Sequence, residues 1–203
     1  MVLGIIGKVG SGKTACTEYL ENEYSAIVLS CDEIAKEIIE SNETDYIPLP
    51  PFIFFRSEEA QEECRHKIHK IVFDRIFGYI NNFKNGNAKQ LLAYSRNLRA
   101  ENNKNNLREQ NSLIVIECAL PSDRLFEMCD KVIYIKNSYE DKVKLLKEKR
   151  DYDGETTKLI YDSQSFYDKY YDKADKIMIN DGTKKDLERK LKEVMDEIYI
   201  VRK

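Results

Sequence analysis

Gly7-Lys8-Val9-Gly10-Ser11-Gly12-Lys13-Thr14 fits the pattern G-x-x-x-x-G-K-[ST] at every defined position. Successive backbone N–H groups in such a loop must converge on phosphate oxygens. Gly7, Gly10 and Gly12 permit the dihedrals and the close approach this requires, and Ser11 lies in the cradle they form. The helix that opens at the loop adds the positive end of its dipole. In this pattern the Lys13 ammonium reaches the β- and γ-phosphates and the Thr14 hydroxyl holds Mg²⁺. Context agrees, because the apolar run Val2–Ile6 precedes the loop and Ser11 to Leu20 reads as a helix. A chance glycine-rich turn would not come with strand, loop and helix in that order. The chain is expected to bind a nucleoside triphosphate, ATP with Mg²⁺, or to descend from one that did.

Further along the chain, short β-branched runs recur at Ala26–Ser30, Leu113–Cys118, Val132–Ile135 and Ile177–Ile179. Each is nearly continuous in apolar character, as in strands buried on both faces of a parallel sheet. Helical patterns lie between them, so strands and helices alternate and the fold class is α/β with one mostly parallel sheet. Cys64, Ile68, Ile71, Val72, Ile76, Tyr79 and Ile80 form one helical stripe, and Leu187, Leu191, Val194, Ile198 and Val201 form another. Both are expected to face the core. Leu49-Pro50-Pro51 interrupts any helix near position 50. Residues 81–111 are rich in Asn, Lys and Arg, with few apolar positions, and read as a solvated helical excursion.

At 203 residues the chain is expected to form one domain, 1–203, carrying a helical insert over about 41–111. A net charge of −3 weighs against a generic nucleic-acid binder, and no apolar run is long enough to span a bilayer. Five cysteines without a CxxC pair predict free thiols in a reducing, cytoplasmic setting.

A phosphate loop alone does not separate kinases, GTPases, motors and helicases, but about 200 residues suit a small-molecule kinase. Ser30-Cys31-Asp32-Glu33-Ile34-Ala35 supplies the next clue. Asp32 follows the second strand, where open α/β sheets gather their ligand chemistry, and could accept the proton of an attacking hydroxyl. Equally, an aspartate there could cap the helix that follows.

These residues resemble the dephospho-coenzyme A kinases. That family has a GxGSGK[ST] loop and an Asp-x-Ile-Ala segment after the second strand, seen here as Asp32-Glu33-Ile34-Ala35. Cys129 to Ile135 is similar to its fourth strand, and Glu140 to Arg150 to its lid helix. Ile160-Tyr161-Asp162-Ser163-Gln164 and Ala174 to Gly182 resemble its I-x-x-Q and A-D-x-V-I-x-N-x-G. The resemblance covers about residues 1–40 and 112–183. It implies a three-layer P-loop fold with a five-stranded parallel sheet flanked by helices, a helical acceptor-binding region and a lid over about 138–170. The implied reaction moves the γ-phosphoryl of ATP to the 3′-hydroxyl of dephospho-CoA, a small-molecule substrate, with no nucleic acid or membrane partner. Asp32 would then orient or deprotonate the hydroxyl, Arg150 would stabilise charge as the lid closes, and Asn180 and Gly182 would lie near the adenine.

The chain also departs from the family. Pro-Leu-Leu-x-Glu after the third strand is replaced by Ala119-Leu120-Pro121-Ser122-Asp123, and Leu146 stands in place of the first of two lid arginines. The family's His-Pro is matched at best by His66-Lys67. Two other readings therefore stay open: a kinase of another small acceptor such as a nucleoside or nucleotide, and a nucleotide-binding accessory protein that has lost phosphoryl transfer.

Overall fold

The computed structural model describes residues 1–87, 91, 113–138, 143 and 154–200. Five strands lie at its centre: β1 (Val2–Ile6), β2 (Ile27–Ser30), β3 (Ile114–Cys118), β4 (Lys131–Lys136) and β5 (Lys176–Ile179). They form one sheet in the order β2-β3-β1-β4-β5, and every pairing is parallel. All five strands fall on the apolar runs of the sequence, within a residue or so at each end. β1 sits in the middle with chain crossing to both sides of it, so the crevice at its carboxyl end is the place where such sheets bind ligands.

Side-chain alternation along β1 splits the core into two layers. Leu3 and Ile5 join Cys16, Leu20, Leu187, Leu191 and Met195 beneath α1 (Lys13–Tyr24) and the C-terminal helix Lys184–Ile200. Val2 and Ile6 turn the other way. They meet Ile34 and Ile38 of α2 (Cys31–Glu40), and Val72, Ile76 and Ile80 of the helix Lys70–Lys84. Each fully buried aliphatic side chain contributes roughly 1.5–3 kcal/mol relative to exposure. Both predicted stripes face this core, apart from Val201, which lies outside the described residues.

Between α2 and that helix the chain forms α3 (Pro51–Phe54) and α4 (Glu58–Cys64). Pro51 starts α3, since a proline at the first helical position gives up an N–H that would have no helical partner anyway. A π-helical turn, Arg65–His69, joins α4 to α5 (Lys70–Lys84) without a break. After β3 come α6 (Asp123–Met128), then β4, then α7 (Gly154–Ser163) with a 3₁₀ segment, Gln164–Tyr170, and finally α8 (Lys184–Ile200). Most of 81–111 lies outside the described residues. Leu91, however, is fully buried in the α2–α5 layer, so this stretch is not solvated throughout.

Candidate active site

The loop runs from the carboxyl end of β1 to the first turn of α1 and adopts positive φ at Gly7 (151°), Gly10 (77°) and Gly12 (100°). A Cβ on Gly7 would lie 2.4 Å from the Ile135 carbonyl oxygen, and one on Gly12 would lie 2.5 Å from Asn180 Nδ2. Only glycine fits at either place. Because Ser11 and Gly12 stay in the loop, α1 begins at Lys13, two residues later than the sequence suggested.

The start of α1 differs from that of its neighbours. α2 is capped by Ser30 Oγ, which accepts from Glu33 N, and α4 by Ser57 Oγ, which accepts from Ala60 N. At α8, Thr183 and Asp186 form a reciprocal capping box. α1 has no side-chain cap and no acid in its first turn, which leaves its N-terminus suited to an anion.

Three side-chain amides brace the loop from outside. Val9 N donates to Gln164 Oε1 at 2.9 Å. Asn137 Nδ2 donates to Gly10 O at 2.7 Å, and Asn180 Nδ2 donates to Ser11 O at 2.9 Å. They come from the ends of β4 and β5 and from the 3₁₀ segment, so consecutive loop residues are fixed by distant parts of the chain. Asn180 therefore contacts the loop backbone itself. Gly182 gives room for the Asp186 carboxylate, which a Cβ there would meet at 2.9 Å.

Lys13 is buried, and its ammonium donates to Lys8 O at 3.2 Å. The Thr14 hydroxyl donates to Glu117 Oε1 at 2.9 Å, and Thr17 Oγ1 lies 3.2 Å from Glu117 Oε2. Glu117 was missed in the sequence. Its signal was a lone carboxylate inside the run Leu113–Cys118, where burial on both faces makes a charge costly unless it has a task. Hydroxyl and carboxylate oxygens suit a hard divalent cation such as Mg²⁺.

In register, Ser30 of β2 pairs with Glu117 of β3, and Asp32 follows two residues later, just past the carboxyl end of β2. Asp32 is exposed in the first turn of α2, and Ser30 holds the capping position, so Asp32 is not the cap. Asp32 acts on the His69 imidazole through its charge. Burial and then the Arg65 charge lower the His69 imidazole to about 4, while the Asp32 charge pulls in the opposite direction. His66, the nearest match to the family's His-Pro, is exposed beside Glu62. Both histidines lie on the π-helical turn Arg65–His69, and turns of this kind often mark functional sites. Asp123 is tied to Lys173 at 2.6 Å, which lowers its carboxyl below the ordinary range. Arg150 and Leu146 lie outside the described residues.

A parallel sheet whose central strand feeds a glycine loop, with one carboxylate on the neighbouring strand and another just past the end of the strand beyond, is the architecture of the P-loop kinases. Two solved structures show the same fold across almost the whole chain. TT1252 from Thermus thermophilus aligns with a TM-score of 0.62 and 20% identity, covering 97% of both chains. A shikimate kinase from Acinetobacter baumannii in complex with shikimate aligns with a TM-score of 0.59 and 14% identity, covering 97% of this chain and 93% of its own. Residues 1–186 match the dephospho-CoA kinase family, and the chain belongs to it. A dephospho-CoA kinase of Fusobacterium nucleatum subsp. nucleatum is 25% identical over 209 residues, covering 98% of each chain.

Proposed function

We propose that the protein transfers the γ-phosphoryl group of ATP to the 3′-hydroxyl of dephospho-CoA, the last step in making coenzyme A. The observation that carries this reading is the convergence at one crevice of the braced loop, Lys13, the Thr14–Glu117 pair and Asp32. In phosphoryl transfer the protein mainly positions groups and neutralises charge. Gly7, Gly10, Ser11 and Gly12 shape the cradle, and Lys13 takes oxygens of the β- and γ-phosphates. Thr14, oriented by Glu117, would hold Mg²⁺, which would supply positive charge against that of the phosphates. Asp32 accepts the hydroxyl proton. By the family resemblance, Arg150 adds charge from a lid over about 138–170, and Asn180 and Gly182 border the adenine side. The one-domain organisation with an acceptor region within 41–111 belongs to the same reading, as does a cytoplasmic location. No described helix is long and apolar enough to cross a membrane.

The test is an acceptor panel with Asp32→Asn. Wild type should phosphorylate dephospho-CoA in preference to nucleosides, nucleotides and shikimate. Asp32→Asn should keep ATP affinity by calorimetry while turnover falls roughly 10²–10⁴-fold, the usual worth of a positioned acid–base group. A mutant as fast as wild type would remove Asp32 from the mechanism. Preference for another acceptor would move the substrate assignment.

A further inference from the structure

Lys8 holds the second position of the phosphate loop, yet its side chain is only 11% exposed. It does not run into solvent. Its Nζ lies 2.7 Å from Asp168 Oδ1 on the 3₁₀ segment and 4.9 Å from the centre of the Tyr161 ring on α7. The ammonium lines a cavity of about 300 Å³ that the loop shares with the end of β4, alongside Ser11 and Asn137. Ser11 Oγ and Asn137 Oδ1 belong to residues at least nine-tenths buried, and neither atom meets a partner among the described residues. Lys13 also anchors on the Lys8 carbonyl oxygen, 3.2 Å from its own Nζ. Any phosphate oxygen that Lys13 holds is therefore within the span of the Lys8 side chain.

We propose that Lys8 is a second cation for the transferring phosphoryl group, parked on Asp168 in this structure and turning to the γ-phosphate oxygens in the reacting complex. The proposal rests on the kinase reading above. Asp168 is 56% exposed, so the resting ion pair is weak and a multiply charged phosphate competes well for the ammonium. As the acceptor oxygen bonds to the γ-phosphorus, the bond from that phosphorus to the bridging oxygen of ADP breaks. The hydroxyl proton passes to Asp32. Lys8 gives up no proton; it supplies charge and N–H donors to the equatorial oxygens, where the transition state needs them. The chain has Leu146 where its family resemblance places one of two lid arginines, and a lysine rooted in the loop replaces that charge.

The test compares Lys8→Met, Lys8→Arg and Asp168→Asn in the full chain. Turnover on dephospho-CoA, calorimetric affinity for Mg-ATP and binding of Mg-ADP with aluminium fluoride, a planar mimic of the phosphoryl group, are all measured. Lys8→Met should lose about 10²-fold in turnover and in fluoride-complex affinity, with ATP affinity changed less than about threefold. Lys8→Arg should restore most of both, and Asp168→Asn should stay near wild type. If Lys8→Met and Asp168→Asn behave alike, the ion pair is only a strut and the proposal falls. It also falls if Lys8→Met binds the fluoride complex like wild type. A wild type that ignores dephospho-CoA but binds the fluoride complex in a Lys8-dependent way would keep this role and overturn the acceptor assignment instead.

Discussion

Glu117 engages Thr14 with one carboxylate oxygen and Thr17 with the other, so the first turn of α1 is fixed against β3 by a single side chain. Glu117→Gln keeps the size and one acceptor oxygen but removes the charge. The Thr14 hydroxyl then loses its strongest orienting partner, and affinity for Mg²⁺ should weaken about 10–100-fold, as when other partners behind a metal ligand are removed. Magnesium titration of activity at fixed ATP would measure this, and an unchanged magnesium midpoint would free Thr14 from Glu117. At this scale the sequence was legible wherever a motif fixes spacing: Gly7 to Thr14 needed nothing else. Glu117 showed only as a lone carboxylate within an apolar run, and the place of His69 was not legible. Their roles come from what faces them across strands and helices, and no local spacing records that.

The loop behaves as an element of its own, held by Gln164, Asn137 and Asn180. Asn180→Ala deletes the brace at Ser11, and Gly12→Ala drives a methyl group into Asn180 while forcing alanine to φ 100°. Both should weaken ATP binding, and Gly12→Ala should weaken it more, because a strained left-handed residue costs about 1–3 kcal/mol before the clash is counted. Calorimetry on the two variants gives the ranking, and equal losses would show that the brace alone sets affinity. The helices themselves were read well from their stripes, whereas their junctions were not. Nothing in Arg65–His69 announces a π-helical turn, which together with α5 packs against α2. Asn180 was expected beside the adenine by family resemblance, and its hydrogen bond to the loop was invisible until β5 was placed.

Taken as a whole, the molecule puts a neutral histidine against its main core. His69 stacks edge-on to Phe73, with ring centres 6.4 Å apart, and its pKa drops from 6.5 to about 4. Below pH 6.5 the unfolded chain takes up a proton that the folded one refuses until about pH 4. Stability is thus full above 6.5 and falls as pH drops through that window. The loss should be on the order of 2 kcal/mol, reduced by partial exposure. Urea midpoints from pH 7 to 4 should fall less steeply in His69→Gln, and parallel curves would show that other groups carry the acid sensitivity. The α/β alternation had already made the global architecture legible, because β1 to β4 are short apolar runs that no helix stripe resembles; β5, at the sheet edge, buries only Met178 and leaves Ile177 and Ile179 exposed. The 81–111 stretch misled in part: its polar composition conceals Leu91, which the core captures.

The braces on the loop span sequence separations of 127, 155 and 169 residues. A ribosome releases Gly7 to Thr14 well before Asn137, Gln164 and Asn180. In that interval the nascent chain carries every residue of the phosphate motif but not the scaffolding that shapes it. Competence for nucleotide arrives late, when the C-terminal strand slots in beside β4, and ATP can reward only chains that have finished folding.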